Sequence, residues 1–393
     1  MKSKAIKVMP IIGVRPQMIK AAPVLSLLSK DHEIELQMIH SGQHYDFEMS
    51  KIFLNELDLP EPLYNLNVGS GSHATQTARL LMRSERIIDK LMPDVVVVFG
   101  DANTTLGGAL AAVKMHIPVC HVESGLRSYD MRMPEEINRV LTDHSSQMLC
   151  APTSLSMENL KREGIEEDKI LLSGDTMYDA ILRHEADVEM SNIVEEIGLT
   201  EKKYAVLTVH RAENVDDPER LSRIISAITK LSELTIIFPV HPRTQKKLRS
   251  ANPKIDVKRA PNVILTQPLG YFDMLFLMKH SSVVLTDSGG MQKEAFLFGV
   301  PCVTMRDTTE WMETVELRAN TLVEAETERI LFETRRILEE KGIKRRLESL
   351  PNPYGDGKAS QKIVDDLKDR FYSGKLIITR QIRTIAKRFS SED

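Results

Sequence analysis

Five consecutive residues, Val95-Val96-Val97-Val98-Phe99, carry no polar side chain, and four of them are β-branched. A run this short does not span a bilayer; it fits a parallel strand buried on both faces. It ends in Gly100-Asp101-Ala102-Asn103-Thr104-Thr105, and an Ala/Gly-rich helical segment comes next. The same order of apolar run, polar turn and helical period recurs along the chain. Ile6 to Ile12 ends in Gly13-Val14-Arg15-Pro16, and Ile19, Ala22, Leu25 and Leu28 then repeat at helical spacing. Further runs lie at 35–39, 117–120 and 148–151, and the alternation restarts at 204–209, 235–240, 263–265 and 283–285. Strands alternating with helices predict an α/β fold with parallel sheets. At 393 residues the chain exceeds one ordinary core, so two Rossmann-like units are expected. The apolar content thins between Gly174 and Lys202, which predicts units 1–180 and 181–365 and a helical tail 366–393.

The bulk properties narrow the class of protein. A formal net charge of −4 offers no basic excess to neutralise phosphates at scale, so nucleic acid is not an expected partner. The cysteines, Cys120, Cys150 and Cys302, are widely spaced and show no metal-ligand spacing. They read as reduced core residues, with no metal site. The opening apolar run stops at Arg15 without a small-residue cleavage site, so a cytoplasmic protein without membrane insertion is expected. In the tail, Ile378, Ile382, Ile385 and Phe389 form an apolar stripe flanked by Arg380, Arg383, Lys387 and Arg388. Docking on the same chain or a partner subunit is the expected use of that stripe.

Open α/β sheets present their chemistry at the C-terminal ends of strands. Arg15 stands in the first such turn, and Lys20 lies one helical turn later. Two cations at a helix start favour an anion such as phosphate. Asp101 comes just after Phe99, and Glu123 after the strand at Ile117 to Cys120. Pro134 suits the first position of a helix, which would put Glu135 and Arg139 on one face and point Glu136 elsewhere. A helix cap at Asp101 or Asn103 and a structural Glu135–Arg139 ion pair explain these residues singly. Three acids at neighbouring strand ends and helix starts, Asp101, Glu123 and Glu135, point together to a site. In the second half, His210 and His241 end strands, and Thr286-Asp287-Ser288-Gly289-Gly290 opens a helix. Glycines at such a turn let the backbone approach an anion, and Glu294, further along that helix, can grip ribose hydroxyls.

Taken in order, G-V-R-P-Q-M-I-K, G-Q-H-Y, F-G-D-A-N-T-T, H-V-E-S-G-L-R, P-E-E-I-N-R, V-H-R-A-E-N, T-D-S-G-G-M-Q-K-E-A, M-R-D-T-T-E and P-Y-G-D-G-K-A-S resemble the non-hydrolysing UDP-N-acetylglucosamine 2-epimerases over nearly the whole chain. The resemblance implies two Rossmann-like domains in a GT-B-like arrangement, with the active site in the interdomain cleft, and a homodimer. It implies a UDP-sugar substrate, no cofactor, and anti-elimination of UDP to a 2-acetamidoglucal followed by re-addition. The implied role is supply of precursors for cell-surface polysaccharides or glycans. By motif position, Asp101, Glu123 and Glu135 would be the catalytic acids, assisted by Arg139 and His210. Arg15, Lys20, His210, Ser288, Gly289 and Gly290 would hold the diphosphate, and Glu294 the ribose. Gln43, Glu136, Arg211 and His241 match parts of an activator site that some members carry, although Asp46 stands where glutamine is often found. G-V-R-P-Q, G-Q-H-Y-D and the short bridge before Pro134 also resemble a branch acting on UDP-2,3-diacetamido-2,3-dideoxy-glucuronate. A GT-B glycosyltransferase and a silent UDP-sugar sensor are the competing classes. The glycosyltransferase reading leaves the acids around Glu123 without a clear purpose.

Overall fold

A computed structural model describes residues 5–43, 54–200, 203–250, 257 and 260–376. The loop at His44 to Asp46 and the stripe from Ile378 to Phe389 lie outside the described residues. The chain divides into two compact units, one formed by residues up to Ala180 together with those from Tyr354 onward, the other by Ile181–Pro353.

The sheet of the first unit runs, in spatial order, Tyr64–Asn65, Ile39–His40, Ile6–Ile12, Val95–Phe99, Val119–Val122, Met148–Ala151 and Ile170–Leu172. Ile34–Leu36 pairs with the lower half of Ile6–Ile12, and every pairing is parallel. Val95 to Phe99 are all fully buried, as the β-branched run requires. From Ile6–Ile12 the chain builds outward on one side to Ile39 and on the other to Val95. The sheet therefore reverses between these two central strands, where a crevice opens at their C-terminal ends. Gly13 to Arg15 and Gly100-Asp101 stand on its two sides.

The second unit repeats the plan with the parallel order Val263–Thr266, Thr235–Pro239, Tyr204–Thr208, Val283–Thr286, Cys302–Thr304 and Asn320–Leu322. Its reversal falls between Tyr204–Thr208 and Val283–Thr286, which places His210 and Asp287-Ser288 beside one another. The two-sheet α/β reading of the sequence is what the structure contains.

One expectation is corrected. Residues 354–365 do not stay with the second half, because the chain returns to the first unit at Tyr354. The helix Ala359–Tyr372 packs against the helix Arg15–Lys30. Its first N–H groups, on Ala359 and Ser360, donate to the Asp179 carboxylate at 3.1 and 2.7 Å. Further along, Lys368 Nζ bridges Asp31 at 2.7 Å and Glu33 at 2.6 Å. These partners are distant in sequence, so no local pattern announced the return. Among the described residues no helix is long and apolar enough to cross a membrane.

Candidate active site

At the reversal point of the first sheet, charged side chains form two ion-paired groups, Lys20 with Glu123 and Arg139 with Asp101 and Glu136. Lys20, on the second turn of the helix Arg15–Lys30, is buried and donates Nζ to Glu123 Oε1. It is therefore neither on a wet helix face nor, in this arrangement, a bare phosphate ligand. Burial pushes its ammonium down, but the carboxylates of Glu123 and Asp101 outweigh this and hold its pKa above the ordinary lysine value. Glu123 has a φ of +69°. A non-glycine residue in this left-handed region is strained, and such strain concentrates at functional sites. Gly100, with φ +61°, closes the other side; a Cβ there would lie 3.0 Å from Lys20 Nζ.

Asp101 is not the helix cap that its position permits: the cap residue is Ala102, with no side-chain bond. The Asp101 carboxylate instead accepts from Arg139 Nε at 3.1 Å and Nη2 at 2.7 Å. Arg139 is buried, and its Nη1 donates to Glu136 at 2.6 Å. The expectation that Glu136 points elsewhere than Arg139 is thus overturned. Glu136 is buried and also accepts from Ser128 N–H at 3.0 Å, Ser128 Oγ at 3.0 Å and Tyr129 N–H at 2.9 Å. It ties the bridge after Arg127 to its own helix, a role that spacing alone does not reveal. Glu135, in the first turn of the helix Pro134–Ser145, is half-buried at the rim. Arg15, half-buried, opens the helix that carries Lys20. Gln43 is buried, and its Oε1 accepts from Thr104 Oγ1 at 2.7 Å and Thr104 N–H at 3.3 Å.

In the second unit the organising residue is Asp287, which the motif contains but which sequence reasoning did not single out. It is fully buried and accepts from the N–H groups of His210, at 3.0 and 3.1 Å, and Arg211, at 2.9 Å. Asn214 Nδ2 adds a bond at 3.2 Å, and His210 Nδ1 lies 3.3 Å from Asp287 Oδ1. The signal was available: an acid directly before Ser-Gly-Gly at a strand end. Ser288 precedes the helix Gly289–Leu297, and its hydroxyl does not cap that helix. The first-turn N–H groups of a helix have no partners within it and favour an anion. Beside Gly289 lies Glu310, held by Arg306 at 2.9 Å and 3.9 Å from Arg211. Glu294 is buried within the helix, Gly290 is half-buried, and His241 is exposed with its ring 5.8 Å from that of His210.

Two parallel α/β units, one bearing acids and cations at its switch point and one bearing a glycine-opened helix start beside a carboxylate-held histidine, define a class of enzymes handling anionic, nucleotide-like substrates. Residues 26–368 match the family model described as UDP-N-acetylglucosamine 2-epimerase. A UDP-N-acetylglucosamine 2-epimerase homolog of Methanococcus maripaludis is 47% identical, covering 92% of this chain and 99% of that protein. The UDP-2,3-diacetamido-2,3-dideoxy-D-glucuronate 2-epimerase of Pseudomonas aeruginosa is 42% identical, covering 92% and 99%. The crystal structure of Methanocaldococcus jannaschii UDP-GlcNAc 2-epimerase in complex with UDP-GlcNAc and UDP superimposes with a TM-score of 0.86 at 45% identity, covering 93% of this chain and all of that one. The chain belongs to the UDP-N-acetylglucosamine 2-epimerase family, a family of isomerases.

Proposed function

We propose that the protein interconverts UDP-N-acetylglucosamine and UDP-N-acetylmannosamine by inverting C2 of the sugar. The observation that carries this reading is that the ion pairs Lys20–Glu123 and Arg139–Asp101 both fall at the C-terminal strand ends beside one switch point. Inverting a C–H centre needs proton removal on one face and delivery on the other, and carboxylates on separate elements suit that task. A base would take the C2 proton while the C1–O bond breaks and its electron pair leaves on UDP, giving a 2-acetamidoglucal. A proton then returns to the opposite face of C2 and the UDP oxygen re-adds at C1. No net oxidation or reduction occurs. Asp101 and Glu123, each facing a cation, suit proton acceptance, with Glu135 as the third acid.

Charge developing on departing UDP would be met by the N–H groups at Ser288, Gly289 and Gly290, with Arg15 and His210. Glu294 would hold the ribose. A homodimer and a cytoplasmic location complete the proposal. Incubation with UDP-N-acetylglucosamine in D2O, with NMR as the readout, should give UDP-N-acetylmannosamine and deuterium at C2. Absence of both overturns the reading.

A second substrate is favoured by the P. aeruginosa relative, named as a UDP-2,3-diacetamido-2,3-dideoxy-D-glucuronate 2-epimerase. The same D2O experiment with that uronate separates the two, since only the true substrate should exchange at C2 at a catalytic rate.

A further inference from the structure

We infer that His121 and Asp143 form a buried imidazolium–carboxylate pair that positions Asp101 and Glu123 for the chemistry. The inference rests on the epimerase reading of that site. His121 lies on the strand Val119–Val122, two residues before Glu123, and both it and Asp143 are essentially inaccessible. The ring contacts Gly100 O through Nε2 at 2.7 Å and Asp143 Oδ1 through Nδ1 at 2.7 Å. A carbonyl oxygen only accepts, so Nε2 carries a proton. An ionised carboxylate also only accepts, so Nδ1 carries one too, and the ring is cationic.

Asp143 has every reason to be ionised. Burial pushes its carboxyl up, but the His121 hydrogen bond and charge, with Arg127, pull its pKa below the ordinary value. Asp143 Oδ2 accepts from Arg127 Nη1 at 2.7 Å and from Gly125 N–H at 3.1 Å. Arg127 in turn forks onto Glu163 through Nε and Nη2, both at 2.7 Å. Cation and anion alternate along the buried His121, Asp143 and Arg127 and the half-buried Glu163, so the set is neutral overall. That balance is what makes burying it tolerable.

The bonds leaving this set fall on the two strand ends that bear the acids. His121 holds the carbonyl of Gly100, whose next residue is Asp101. Asp143 holds the N–H of Gly125, two residues after Glu123. Ser124 N–H is fixed separately to Cys150 O at 3.0 Å. A left-handed Glu123 persists only where its surroundings over-determine it, and these bonds supply that constraint. Neither His121 nor Asp143 touches the reacting atoms, so both are positioning residues.

The test has two arms. In the unaltered protein at neutral pH, 15N NMR of the histidine rings, assigned by comparison with His121→Gln, should show protons on both His121 nitrogens. A neutral ring with one N–H overturns the inference, and this arm stands even if C2 exchange fails for every UDP-sugar. In the kinetic arm, His121→Gln and Asp143→Asn should lower kcat for C2 exchange about 100-fold, with KM and UDP affinity within about threefold, because misplacement near an ångström costs on that order. A folded variant of either kind with unchanged kcat overturns the inference. Should both variants fail to fold, the ring measurement decides, made on the unaltered protein with His121 assigned through its Asp143 and Gly100 neighbours.

Discussion

Arg139 grips Asp101 through two nitrogens of its fork, at 3.1 and 2.7 Å, while its remaining terminal nitrogen holds Glu136 at 2.6 Å. One guanidinium thus links a proposed catalytic acid to the carboxylate that anchors the neighbouring bridge. Only a planar, multi-donor cation does this; an ammonium supplies charge without the fork. Arg139→Met should leave the buried Glu136 carboxylate without its counter-charge, costing about 3 kcal/mol of stability by urea denaturation. Arg139→Lys should recover part of that stability yet remain about 100-fold down in kcat, because Asp101 loses its bidentate hold. Equal activity in the lysine variant would show that charge alone suffices.

Asp287→Asn should act through His210 and Arg211. The amide keeps the volume but loses the charge that gathers the N–H groups of His210 and Arg211. A kcat loss of about tenfold to 100-fold is expected, since charged acceptors make the stronger bonds. Thermal unfolding monitored alongside kinetics should show a drop in stability as well, because Asp287 is fully buried.

Gly289→Ala tests the anion seat. The added Cβ would lie 2.2 Å from Glu310 Oε1, and Glu310 is held in place by Arg306. Moving that carboxylate disturbs the helix start, so UDP affinity measured by calorimetry should fall at least about tenfold, roughly 1.4 kcal/mol. Unaltered UDP binding would place the diphosphate elsewhere.

Two buried groups beside the site carry pH dependences of stability of opposite sign. Asp143 is held below its ordinary 3.8 despite burial, by His121 and Arg127. Its contribution is complete above that value and is lost only as pH falls through the lower folded value. Lys20 is held above its ordinary 10.5 despite burial, by Glu123 and Asp101. Its contribution is complete below 10.5 and is lost as pH rises through the higher folded value. Asp143 itself should therefore not bend the stability curve above about pH 5, nor Lys20 itself below about pH 9; differential scanning calorimetry of the unaltered protein should show the losses these two groups cause only outside those bounds.

Much of this molecule is legible in the sequence because strand burial and strand-end chemistry leave local signatures. Val95 to Phe99 could be read as a central strand from their side chains alone, and Asp101 and Glu123 as strand-end acids from their places just past two apolar runs. Long-range partners leave no such mark. Helical spacing did not offer Glu136 as a partner of Arg139, yet the backbone N–H groups of Ser128 and Tyr129 draw it inward. Nothing near His121 in the sequence announces Asp143, twenty-two residues on, because the pairing is made by a helix folding back over the sheet. Asp287 was hidden by its own motif, where the glycines drew attention to the ligand side of the turn.

The return of the chain at Tyr354 bears on how the protein is made. The second unit is one uninterrupted stretch, Ile181–Pro353, whereas the first is completed only when Ala359–Tyr372 settles beside Arg15–Lys30. During synthesis from the N-terminus, the stretch that leaves the ribosome later has all its strands available before the earlier one has its last helix. The half carrying Asp101 and Glu123 stays open at one flank until then, and its acids reach their final setting only after the whole second unit has been made.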